Sequence, residues 1–168
     1  MFRLIKKHKL IASILLLGFI ASISYAFYFN IKPSVDAKAY DSIAWSLVQG
    51  TGYTETTSPV PDSAIGRLGP GYEFFLAGIY WIFGHRIWIV WLIQSLLHTA
   101  SAFLVFRFTK RLYLGDNAEK FAALGAGFYI FFIDLLEFPA MLLTETLYLF
   151  LVLLGLNFAF SIWEKPNQ

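Results

Sequence analysis

Asp36 and Tyr40 stand four residues apart, a spacing that puts a carboxylate and a phenol on one face of a helix. A carboxylate in the first turn of a helix lying along a membrane surface can take the proton of a hydroxyl brought in along that surface. The same position also suits an acid that caps the helix or complements its dipole, worth under about 1 kcal/mol. Asp41, on the polar face, reads as solvated. Glu145 is the second candidate. It falls about one and a half turns into an apolar run, where an ionised side chain costs several kcal/mol unless it faces a wet cavity or a partner. A shallow carboxylate reaching back to the interface is the other reading of Glu145. Thr144 beside it adds a hydroxyl, and Asp134 and Glu137 come shortly before. If Asp36 and Glu145 converge, they could hold a divalent metal ion through oxygen ligands or divide acid and base roles.

Anions have their own candidates. A guanidinium fork matches phosphate, and Arg67 stands just before Gly69-Pro70-Gly71, where the backbone can approach a ligand closely. Arg86 and Lys38 read more simply as contacts to lipid phosphates. Gln94 and His98, one helical turn apart, make a polar stripe of the kind that bonds a neighbouring helix.

The elements that position these residues are membrane elements. A chain 58% hydrophobic and 19% aromatic with 14% charged residues has too little charge to cover a soluble domain of this size. It has no cysteine, which excludes disulfides, thiolate nucleophiles and Cys-ligated metal. The uncharged run 10–29 follows Arg3, Lys6, Lys7 and Lys9 and is the length of a spanning helix. It is long for the apolar part of a signal peptide, and further spans follow it. Residues 88–106, 121–138 and 140–163 supply three more spans.

The loop 30–87 between the first two spans contains two shorter apolar patterns. Over 36–49, Tyr40, Ile43, Ala44, Leu47 and Val48 recur at helical spacing opposite polar residues, which predicts an amphipathic helix too short to span. A stretch rich in Pro, Gly, Ser and Thr then leads to a second short helix over 71–83. Both are expected to lie in the interface, where the Trp and Tyr residues around 80–91 fit an aromatic belt. The predicted fold is therefore an all-α membrane protein, a single membrane domain of about four transmembrane helices with two interfacial helices in its first exoplasmic loop. Basic residues give the orientation. With a cytoplasmic N-terminus, nine of them (Arg3, Lys6, Lys7, Lys9, Arg107, Lys110, Arg111, Lys120 and Lys165) fall in cytoplasmic segments, against Lys32, Lys38, Arg67 and Arg86 on the other side. An integral, multi-pass protein of the plasma membrane is expected, with membrane lipids as partners and no nucleic acid.

The segments DAKAYDSIAWSLVQGTGY and RLGPGYEFFLAGIYWIFG, the Gln94 span ending in RFTKRLYLG, and FPAMLLTETLYLFL resemble, in that order, the N-terminal part of GT-C type membrane glycosyltransferases of the protein O-mannosyltransferase and aminoarabinose transferase superfamily. The resemblance covers nearly the whole chain, and the order of motifs and spans is more specific than any one of them. It implies transfer of a sugar from a polyprenyl-phosphate carrier, the lipid-linked donor substrate, to an exoplasmic acceptor. Asp36 matches the family's acid in the first exoplasmic loop, the implied base or metal-organising group, and Glu145 matches an acid at the outer end of the fourth span. Tyr40, Arg67 and Tyr72 are the implied substrate-binding residues. Glu73 departs from the family, which often has proline after the Gly-Tyr pair. Family members continue through many more spans, so the expectation is an N-terminal piece of a larger transmembrane domain, inactive alone. A noncatalytic membrane-interaction subunit and a small transporter component are the alternatives.

Overall fold

A computed structural model describes residues 2–55 and 69–164. Its elements are α1 (Phe2–Phe29), α2 (Asp36–Val48), α3 (Pro70–Phe83), α4 (Ile87–Leu112), α5 (Ala118–Phe131), α6 (Ile133–Glu137), a 3-10 turn at Phe138–Ala140 and α7 (Glu145–Glu164), with no strand among the described residues. Among the described residues, three helical stretches are long and apolar enough to cross a membrane: Lys9–Phe29, Ile87–Leu112 and Glu145–Glu164. A fourth is available if α5 and the α6 and 3-10 segment that follows, bent by 58°, act as one broken span.

The two short helices form within a residue of their predicted bounds. At 13 and 14 residues, they reach about 20 Å at 1.5 Å per residue, short of a hydrocarbon core of about 30 Å. Pro70 opens α3 at a position where its missing N–H costs nothing, and Gly84 closes it in a left-handed conformation (φ 76°) with its N–H on the Tyr80 carbonyl. α2 packs on α3, and α4 is the central post against which α1, α5 and α7 lie.

Two apolar clusters hold the bundle. Tyr72, Leu76, Ile79 and Tyr80 of α3 pack with Ala26, Ala44, Val90, Trp91 and Leu142 at one end, while Ile11, Phe106, Ala122, Ala123 and Ala126 pack at the other. Between them runs a buried polar seam. Ser22 donates to Ser95 Oγ at 3.0 Å, and His98 Nε2 donates to the Ile130 carbonyl at 3.2 Å. α1 and α5 approach so closely here that a Cβ on Gly18 would lie 2.2 Å from Ile130, which explains a glycine in mid-helix. Gln94 does the most. Its Oε1 accepts from the Tyr72 hydroxyl at 2.8 Å, and its Nε2 donates to the carbonyls of Pro139 at 3.1 Å and Met141 at 2.7 Å. Gln94 and His98 thus bond neighbouring elements, as their spacing predicts.

Two details differ from the expected spans. The segment 121–138 is not one straight helix, because Phe132 turns to an extended ψ of 124°. The Ile130 carbonyl, which a continuous helix would bond to the N–H of residue 134, is taken by His98 instead. The second difference is the start of the last helix, at Glu145 rather than near Ala140. Pro139 sits in the 3-10 turn, Met141 is extended (φ −104°, ψ 147°), and the carbonyls this leaves free are the ones Gln94 claims.

Replacing Gln94 with Leu would orphan the Tyr72 hydroxyl and two buried carbonyls, an expected loss of about 2–4 kcal/mol. Denaturant unfolding in detergent micelles checks this. Leu96→Ala, on the exposed side of the same helix, should move the midpoint far less, and equal shifts would show that the clamp contributes nothing special.

Candidate functional site

The candidate site forms where the start of α2, the start of α3, the loop after α2 and the start of α7 meet. Asp36 is the first residue of α2 and is exposed, with no side-chain hydrogen bond among the described residues. It is not the cap, since that position is occupied by Val35 at φ 41° and ψ −108°. A positive φ is costly for a β-branched side chain, so the turn that presents Asp36 carries backbone strain. Both carboxylate oxygens of Asp36 are left available to accept a proton.

One turn on, Tyr40 is half-buried and meets the Tyr72 ring edge-on, with centroids 5.2 Å apart and planes at 82°. Tyr72 is buried and fixed by Gln94. Glu73 follows on α3 with 0% exposure. Its Oε1 accepts from the Tyr53 hydroxyl at 2.9 Å, while its Oε2 is buried with no partner. A buried carboxylate satisfied on one side only is costly, and a binding or catalytic role is one explanation for keeping it. Tyr53 reaches it because the chain doubles back after α2, where Thr51 bonds the Ser46 carbonyl through both its N–H (3.1 Å) and its hydroxyl (3.0 Å).

Glu145 is half-buried at the first residue of α7, with Thr144 Oγ1 3.4 Å from its Oε2. This corrects the placement expected from sequence: the carboxylate is at the favourable N-terminal end of the helix dipole, not one and a half turns inside an apolar helix. The Tyr40 phenol lies in the fields of Glu73, Asp36 and Glu145. Burial chiefly, then the fields of Glu73, Asp36 and Glu145 in that order, raise its pKa above the ordinary value of 10. The phenol of Tyr53 is pushed up to about 12, by burial first and then by its hydrogen bond and charge repulsion with Glu73. Burial likewise holds Tyr72 well above its usual range. All three hydroxyls, neutral at physiological pH even at their ordinary pKa, are held further from ionisation.

Of the residues singled out from sequence, Asp36, Tyr40, Tyr72 and Glu145 come together here, and Arg67 lies outside the described residues. Glu73 and Tyr53 were not anticipated as site residues. The available signal was the lone charge of an otherwise apolar helix, PGYEFFLAGIYWIF. Asp41 is also placed differently from expectation. It is not simply solvated, because its Oδ1 accepts from the Tyr80 hydroxyl at 2.5 Å and faces His85 Nε2 at 2.8 Å. Among the described residues, no group of three or more His, Cys, Asp or Glu side chains is placed to hold a metal ion. No protein-family model, curated protein or solved structure matches the chain.

The Tyr53–Glu73 bond predicts a pH effect. A phenol whose folded pKa is raised above its unfolded value of 10 contributes stability that is full below pH 10 and lost as pH rises through about 12. The difference in phenolate absorbance between the native chain and Tyr53→Phe should show this titration. Glu73→Gln should bring it back toward 10, and an unchanged midpoint in that variant would remove Glu73 as a cause.

Proposed function

We propose that the chain acts in glycosyl transfer of the GT-C type, passing a sugar from a polyprenyl-phosphate carrier to an acceptor hydroxyl on the exoplasmic side of the membrane. The observation that carries this reading is a free, exposed carboxylate, Asp36, one helical turn from the Tyr40 phenol, which also lies in the fields of Glu73 and Glu145. The motif order given above supports it independently.

In this mechanism the acceptor hydroxyl gives its proton to an Asp36 oxygen as its own oxygen attacks the anomeric carbon. The bond from that carbon to the carrier phosphate breaks, and the electron pair leaves with the phosphate. Inversion follows from attack opposite the leaving group. Tyr40, a neutral phenol, donates to a sugar hydroxyl, and the Tyr72 ring meets the Tyr40 ring edge-on. Glu145, at the mouth of α7, accepts from a second sugar hydroxyl. Arg67 is the proposed cation for the departing phosphate. α2 and α3 lie in the interface in this arrangement, which brings a carrier lipid to the site without leaving the membrane. A transporter role would draw its support from an acid inside a span, and Glu145 instead begins its helix.

Two experiments test the proposal. Transfer from a radiolabelled polyprenyl-phosphate sugar, with the full chain in whatever complex it occupies in its membrane, should fall at least about 100-fold in Asp36→Asn, and normal turnover would sink the base role. Orientation can be read separately because the chain has no native cysteine. An impermeant maleimide added to intact cells should label Ser34→Cys and spare Asn117→Cys, and the opposite pattern would place the site on the cytoplasmic side.

A further inference from the structure

On another face of α2 lies a cleft of about 500 Å³ that the proposed transfer reaction does not use. Its wall is an aromatic and acid–base assembly. The left-handed turn at Gly84 brings His85 back so that its ring stacks on Trp45, with centroids 4.8 Å apart and planes at 12°, while the Tyr80 ring meets it edge-on at 4.7 Å. Asp41 Oδ1 fixes the arrangement by accepting from both the Tyr80 hydroxyl (2.5 Å) and His85 Nε2 (2.8 Å). With Nε2 committed, His85 keeps Nδ1 free of any partner among the described residues, and the side chain is 35% exposed. Burial and the Asp41 bond raise the Tyr80 pKa far above its ordinary range, so this hydroxyl remains a donor.

Lys32 and Lys38 also line the cleft, and neither has an ion pair among the described residues. Against the single charge of Asp41, the two lysines leave the cleft net positive. Its setting is apolar: Trp81, Ile82 and Phe83 precede His85 in the chain and Trp88 follows it, all four exposed. Lys32 itself comes three residues after the end of a helix long enough to span. Exposed aromatics at the end of a span mark the depth of lipid headgroups.

We propose that this cleft binds the anionic headgroup of a phospholipid, with Lys32 and Lys38 on the phosphate and the Asp41–His85 pair on a headgroup hydroxyl. Lysine supplies the compact point charges that a phosphodiester needs, and an imidazole with one nitrogen anchored presents its other nitrogen in a fixed direction. The Trp45–His85 stack gives the glycerol backbone a flat wall. Nothing in this assignment depends on sugar transfer, so the two readings stand or fall separately.

The test is calorimetric titration of the full chain in neutral detergent with short-chain phosphatidylglycerol, phosphatidic acid and phosphatidylcholine. Phosphatidylglycerol should bind more tightly than phosphatidylcholine. Lys32→Gln with Lys38→Gln should weaken it by about 30-fold, the sum of two lysine–headgroup attractions, whereas Lys120→Gln, far along the chain on α5, should not. His85→Phe, which keeps a ring on Trp45, should weaken phosphatidylglycerol while leaving phosphatidic acid, which lacks the headgroup hydroxyl, at its native affinity. Equal binding of phosphatidylcholine, or an equal loss in Lys120→Gln, would overturn the site. Binding of inorganic phosphate or glycerol 3-phosphate as tightly as the lipid would overturn the lipid and assign the cleft to a soluble phosphate.

Discussion

In an apolar surrounding every backbone N–H and carbonyl must find a partner within the protein, and Gln94 meets that demand where the helical ladder fails. The chain leaves α-helical geometry after Glu137 and resumes it at Glu145. Two of the carbonyls freed in between, at Pro139 and Met141, converge on one side-chain amide. The same side chain accepts from Tyr72, so α3, α4 and the approach to α7 share a single joint. Each bond contributes only about 1 kcal/mol net, but leaving its partner buried and unpaired costs more than the bond contributes. Irregular backbone inside a membrane bundle therefore requires a residue of this kind, and its position decides where the next helix can begin.

The location of the carboxylates follows from that joint. Because α7 starts late, Glu145 is delivered to the end of its helix, near the face of α2 that carries Asp36 and Tyr40. Because Tyr72 is held, Glu73 is carried into the interior beside it, and Tyr53 is drawn in to satisfy one of its oxygens. The result is a set of acids whose fields reach the Tyr40 phenol and of which one, Asp36, is left exposed. α2 then divides two chemistries. One face offers a free carboxylate among acids, while the other offers two lysines beside an Asp–His pair.

Much of this architecture is legible in the sequence wherever covalent chemistry restricts the backbone. The short helices end and begin where Gly and Pro stand, at Gly69-Pro70 and at Gly84, so their bounds are readable to a residue. Length and hydropathy separate the spanning runs from the short ones. The bend at Phe132 is another matter, since no proline or glycine marks it and the group that replaces the lost bond, His98, lies on a different helix. The late start of α7 is hidden for the same reason: Leu142 and Leu143 look like helix, and only the distant amide of Gln94 makes the extended path affordable. Asp41 looks solvated because its two partners are 39 and 44 residues away. Glu73 was visible as an isolated charge in an apolar helix, but an acid in such a place announces that it needs a partner without saying which.

The far end of the last helix shows why polar contacts, not apolar area, set the positions of these elements. α7 is largely exposed along its length, and in lipid its leucines and phenylalanines gain little by exchanging one apolar neighbour for another. Its register on α4 is fixed instead by Asn157, which donates to the Leu104 carbonyl at 3.1 Å, and by Arg111, which donates to the Asn157 carbonyl at 3.1 Å and to Ser161 Oγ at 2.9 Å. Asn157 lies about three turns along α7 from Glu145, and Arg111 is in the last turn of α4. With Gln94 holding the segment just before α7 and Asn157 holding its body, the helix has little freedom to slide along α4. A slide of one residue would move Glu145 by about 1.5 Å and rotate it by about 100°, enough to turn its carboxylate away from Tyr40. The polar anchors of an otherwise greasy helix are thus what keep the acids of the site in register.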